Sequence, residues 1–254
     1  MGSSLSIQSE NVPSRLQQFL NQQKTRIERT IRVPSEKEDV KTRIIENELG
    51  FTISVFQAYC TWAQAEKALV FWDIDNTLGF EVPNNLFFPK PGITELLKFL
   101  ATEFPNIIHG ILSYRPKIGI HSIECLFEND GGLHELREVF VYRVSARRFV
   151  IQSETDAIKP AIIGFKAPKE ISDDLMELRD RGLTSDAILE KLGIIKYLKR
   201  KGKFSRMPIH LIDDLKGIEV AMGEACLSVA RFSPHFLSEL VQQEGTNSLV
   251  LTEI

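Results

Sequence analysis

The chain has 254 residues, 43% of them hydrophobic and 26% charged, which suits a folded core and excludes a disordered or collagen-like polymer. Its 31 basic and 34 acidic side chains leave a net charge of −3, so no overall positive field draws it to nucleic acid. Cys60, Cys125 and Cys226 stand far apart with no paired spacing, which argues against zinc or a disulfide framework and favours a reducing, cytoplasmic setting. No apolar run approaches the roughly 20 residues of a membrane span, so a soluble protein is expected.

At the start, Met1-Gly2-Ser3-Ser4-Leu5-Ser6 fits the pattern for acylation at Gly2, which would give a weak lipid anchor; a polar leader is the plainer reading. Residues 12–31 carry Leu16, Phe19, Leu20, Ile27 and Ile31 at helical spacing among polar neighbours, which predicts an amphipathic helix. A second helix is expected after Pro34, with Ser35 and Glu38 as a capping box, Val40, Ile44, Ile45 and Leu49 as its stripe, and Gly50 as its end. Residues 51–66 read as a further helix. Together, residues 1–66 are expected to form a helical extension that packs on the main domain or binds a partner.

From Lys67 short apolar runs alternate with helical patterns, as in a parallel sheet covered by helices. Strands are expected at 68–72, 107–112, 139–143 and 209–212, and helices at 93–104 and 185–201. Residues 67–254 therefore read as an α/β core, a Rossmann-like parallel sheet flanked by helices. A modest insertion is expected at 145–184, where Pro160, Pro168 and mixed charge break the pattern.

Ligands in open parallel sheets bind beyond the carboxyl ends of the strands, and three of these strands end in polar residues. The first runs into Asp73-Ile74-Asp75-Asn76-Thr77, two carboxylates one residue apart. A turn explains Asp, Asn and Thr singly, but gathering acids without a cation or proton is unfavourable. The second ends at Ser113, followed by Tyr114-Arg115-Pro116, and the last at Asp213-Asp214. Four carboxylates at two strand tips call for a hard divalent cation, for which Mg2+ is the natural candidate. Positive charge from the protein is expected at Lys191, 22 residues before Asp213, with Lys166 and Lys196 as rivals.

This ordered set resembles the haloacid dehalogenase-like (HAD) hydrolase superfamily, in its phosphatase branch, over residues 67–232. The DxDxT motif corresponds to Asp73, Asp75 and Thr77, the strand-ending Ser to Ser113, the motif lysine to Lys191 and the acidic pair to Asp213-Asp214. Pro91-Gly92 with the helix after it looks like the segment that often precedes the second motif. The resemblance implies a magnesium-dependent phosphatase in which Asp73 is the nucleophile and carries an aspartyl-phosphate, and Asp75 is general acid and then base. It further implies that Ser113 and Lys191 hold phosphoryl oxygens, that Thr77 steadies the loop beside them, and that Mg2+ is held by Asp73, the Asp75 backbone carbonyl, Asp213 and Asp214.

Only 35 residues separate Thr77 from Ser113, enough for a hairpin flap but not a cap domain, and an open site suits a phosphoprotein, with phosphotyrosine as one candidate. Small phosphorylated metabolites and an idle interaction module are the alternatives. Phe80, Phe87 and Phe88 are placed either at the rim of the site or packed within the flap. An exported bacterial effector acting in a host cell is the alternative to a cytoplasmic enzyme.

Overall fold

The computed structural model describes residues 12–32, 38–82, 86–115, 123–129, 131–146, 150–153, 176–180, 182–183, 185–200, 204–230, 239–242 and 249–252. In chain order these form α1 (Val12–Thr30), β1 (Ile31–Arg32), α2 (Glu38–Trp62), β2 (Ala68–Trp72), β3 (Gly79–Val82), β4 (Leu86–Pro89), α3 (Ile93–Glu103) and β5 (Ile107–Ser113). There follow β6 (Phe140–Ser145), β7 (Val150–Ser153), α4 (Asp186–Lys199), β8 (Ile209–Asp213), α5 (Ile218–Met222), β9 (Cys226–Ser228), β10 (Glu239–Gln242) and β11 (Leu249–Thr252). Gly2, Ser35, Lys166 and most of the expected insertion at 145–184 lie outside the described residues.

The chain divides into two compact units, Met1–Ile53 with Pro234–Ile254, and Ser54–Ser233. This differs from a division at 66/67, because β1 pairs in parallel with β11 and β11 pairs with β10, so the C-terminal strands join the N-terminal unit. In that unit Phe19, Gln23, Ile27 and Ile31 recur four residues apart and are buried, and Ile27 and Ile31 cluster with Ile45. One expectation is corrected here: α2 does not stop at Gly50 but runs on to Trp62. A mid-helix glycine costs only about 1 kcal/mol, while Val55, Phe56, Tyr59 and Trp62 are all buried beyond it, at about 1.5–3 kcal/mol each.

The unit Ser54–Ser233 holds a six-stranded sheet in the order β7-β6-β5-β2-β8-β9. Five of its strands, β6, β5, β2, β8 and β9, run parallel, and β7 pairs antiparallel on β6. The α/β architecture and Rossmann-like sheet are therefore as expected, with β7 and β9 added at the edges and β6 ending two residues later than the apolar run suggested. All five residues of β2 are buried, as a central strand covered on both faces requires. Leu69 and Phe71 pack with Ile188, Leu192 and Ile195 of α4, whereas Trp72 turns to the opposite face, against Tyr59 of α2. From β2 the chain moves outward to β5 and β6, then returns to place β8 on the other side of β2. The strand order reverses between β2 and β8, and that is where a ligand crevice forms in such sheets.

The segment between β2 and α3 contains the expected hairpin. β3 and β4 pair antiparallel, Phe80 stacks on Phe88 with ring centres 5.8 Å apart, and Phe80 and Phe87 are buried. Packing within the flap thus accounts for Phe80 and Phe87. A Cβ at Gly79 would run into the Phe88 carbonyl and the Phe87 ring, and one at Gly132 would come within 2.6 Å of the Phe87 carbonyl oxygen, so both glycines let the hairpin lie close.

Candidate active site

Asp73 directly follows β2 and its amide still donates to the Ile212 carbonyl of β8 (2.9 Å), so the nucleophile candidate is tied to the strand that carries the acidic pair. The chain then folds back: Thr77 and Leu78 amides donate to the Ile74 carbonyl, Asn76 adopts φ 64°, and Asp75 bridges to Gly79. A left-handed residue that tolerates this conformation best after glycine is asparagine, which is the residue present.

Carboxylate oxygens of Asp73, Asp213 and Asp214 lie within 4.8 Å of one another, and all three residues are buried. Lys191 reaches them from α4. Its ammonium sits 2.8 Å from Asp73 Oδ1 and 2.7 Å from Asp213 Oδ2 while the residue is only 1% exposed. The Leu215 amide donates to Asp213 Oδ1 (3.0 Å) and the Val229 amide to the Asp213 carbonyl (2.9 Å), which fixes the end of β8. Among the described residues, Lys191 is thus the lysine that meets the strand tips.

Burial works to discharge Lys191, but Asp73 and Asp213 outweigh it and hold the ammonium above its ordinary range. Burial pushes the Asp73 carboxyl up to about 8; Lys191 opposes that push, and Asp213 and Asp75 add to it. The charged lysine is the firmer of the two states, since it serves two acids. A divalent cation among the three carboxylates favours their charged forms and reverses the push on Asp73. The donor set fits such an ion: it is all oxygen, it carries excess negative charge beyond what one lysine neutralises, and Asp73 Oδ2 is left over by the Lys191 contact.

Asp75 stands outside this cluster. Its carboxylate is 37% exposed and pairs with Arg115, which donates from Nε to Oδ2 (3.0 Å) and from Nη2 to Oδ1 (2.9 Å). Arg115 also donates to Glu81 Oε2 on β3 (2.9 Å). Burial tends to discharge the guanidinium, but the Asp75 contacts, with Glu81 and Asp73 behind them, raise its pKa overall. Sequence reasoning passed over Arg115 and Glu81 as functional residues. The available signal was a basic residue two positions beyond a strand-ending serine.

Ser113 closes β5, beside β2 in the register that pairs Ile111 with Trp72. The Ser113 and Thr77 hydroxyls are buried with no hydrogen-bond partner, as is Ser145, the register partner of Ser113 on β6. Buried hydroxyls normally find partners, so Ser113 and Thr77 are donors available to an anion, while nothing shows Thr77 steadying its loop through its side chain. Comparison with protein-family profiles, with curated proteins and with solved structures finds no match. No described helix is long and apolar enough to cross a membrane.

Proposed function

We propose that the chain is a magnesium-dependent phosphatase of the HAD-like superfamily that works through an aspartyl-phosphate on Asp73. The observation that carries this reading is Lys191, buried and bonded to both Asp73 and Asp213 at the switch point of the sheet. A lysine interposed between acids from two strands places one positive charge where a phosphoryl group and a nucleophilic carboxylate have to meet.

In the proposed reaction an Asp73 oxygen attacks phosphorus in line, the bond from phosphorus to the leaving oxygen breaks, and Asp75 gives that oxygen its proton. Asp75 then takes a proton from water, whose oxygen attacks phosphorus and breaks the bond to Asp73. Lys191 and the Ser113 hydroxyl hold the transferring oxygens, with Thr77 as a further donor. Asp73, Asp213, Asp214 and the Asp75 carbonyl are the residues that would hold magnesium. When bound, the ion supplies positive charge that offsets repulsion between Asp73 and the incoming phosphate.

A phosphoprotein is the proposed substrate, because only 13 residues separate Thr77 from Pro91 and the described ones carry the hairpin β3–β4, which leaves no room for a cap domain in that interval. Hydrolysis of an aryl phosphate with magnesium, abolished by a chelator, is the test of the activity. Phosphopeptides turned over in preference to sugar phosphates support the substrate class, and the opposite preference replaces it with small metabolites.

A further inference from the structure

Arg115 follows β5 by two residues and is 6% exposed, whereas the Asp75 side chain it grips is 37% exposed. The guanidinium contacts both Asp75 oxygens, Nε reaching Oδ1 (3.3 Å) as well as Oδ2 (3.0 Å) and Nη2 reaching Oδ1 (2.9 Å). A two-pronged planar contact fixes the rotation of a carboxylate as well as its position. The same Nη2 bonds Glu81 Oε2 of β3 (2.9 Å), and the guanidinium carbon lies 5.6 Å from the centre of the Phe87 ring of β4. One buried cation therefore joins the end of β5, both strands of the hairpin and the exposed carboxylate beside Asp73.

We propose that Arg115 is a positioning residue that sets the reach of the Asp75 carboxylate toward the leaving oxygen, with the hairpin anchoring it through Glu81. This rests on the phosphatase reading, in which Asp75 transfers the proton. Arg115 acts through Asp75, because it is buried and its Nε and Nη2 are both engaged with the Asp75 carboxylate. An ill-placed proton donor slows the ester that most needs protonation, so alkyl phosphates are affected more than aryl phosphates, whose leaving groups depart with less help.

The test combines steady-state kinetics on an alkyl and an aryl phosphate with crystal structures of wild type and Arg115→Met. Arg115→Met is expected to lower kcat on the alkyl ester by about tenfold to a hundredfold with KM changed by less than about threefold, and to affect the aryl ester less. Arg115→Lys is expected to recover part of the loss and Glu81→Gln to show a smaller loss of the same pattern; these two carry the test if Arg115→Met fails to fold. In the Arg115→Met crystal the Asp75 carboxylate is expected to shift by more than about 1 Å while Asp73 and Lys191 stay. Equal losses on both esters that follow the folded fraction, or an unmoved Asp75, overturn the proposal. If wild type hydrolyses no phosphate ester with magnesium, the phosphatase reading fails, and the position of Asp75 in the two crystals still decides the role of Arg115.

Discussion

Lys191 lies 2.8 Å from Asp73 and 2.7 Å from Asp213, joining the tips of two adjacent parallel strands through one ammonium. Each partner is buried, so removing the lysine strands the acids without the charge that compensates them. Lys191→Met is expected to leave Asp73, Asp213 and Asp214 facing one another without a cation, costing roughly 3–5 kcal/mol of stability. Denaturant unfolding in a chelator reads this directly. Magnesium is expected to recover part of the stability but not the activity, since the group proposed to hold the phosphoryl oxygens is gone.

Asp73→Asn separates the proposed nucleophile from the scaffold. The amide oxygen still accepts from Lys191, and a carboxyl that burial pushes up to about 8 loses little by becoming neutral, so stability is expected to change by less than about 1 kcal/mol. Hydrolysis is expected to fall at least about a thousandfold, and no covalent phosphate is expected on the protein by mass spectrometry. Activity retained in a folded Asp73→Asn variant removes Asp73 from the mechanism.

Metal binding is expected to stabilise wild type by mass action, by about 2.7 kcal/mol when free magnesium stands at a hundred times its dissociation constant. Asp214→Asn takes one carboxylate from the cluster of three without touching the Lys191 contacts. It is expected to shrink the magnesium-induced rise in Tm, each protein's rise being read against its own Tm in chelator. An equal rise in both proteins places the ion elsewhere.

The parts of the fold that were legible in the sequence are those written locally. The buried run of β2 followed by Asp73, the stripe of α4 that carries Lys191, and the Pro91-Gly92 start of α3 each show in a window of a dozen residues. Gly50 misled because a helix interior tolerates a glycine when apolar positions continue beyond it. β1 was invisible for another reason: Ile31 pairs with Leu249 at the far end of the chain, and two residues have no periodicity of their own. The site divides the same way, for the Asp73, Asp213 and Asp214 cluster follows from strand ends, while the grip of Arg115 on Asp75 depends on a loop and a hairpin meeting in space.

Behind the site, Trp72 donates from Nε1 to the Tyr59 hydroxyl (3.0 Å), which lies 3.2 Å from His109 Nδ1. All three side chains are buried, and burial holds His109 at about 4, well below the ordinary imidazole value of 6.5. Between about pH 6.5 and about 4 the unfolded chain therefore binds a proton at His109 that the folded chain does not. The contribution is fully present above about 6.5 and is lost as the pH falls through about 4, up to about 3 kcal/mol in all. Asp73, raised by burial, pulls the opposite way across the same window, and His210, also held at about 4, pulls with His109. The difference between wild type and His109→Phe cancels both, so the readout is the gap in unfolding free energy at pH 7 against that at pH 4.5. Wild type is expected to lose more stability than His109→Phe on acidification, and parallel losses show that His109 titrates alike in the folded and unfolded chains.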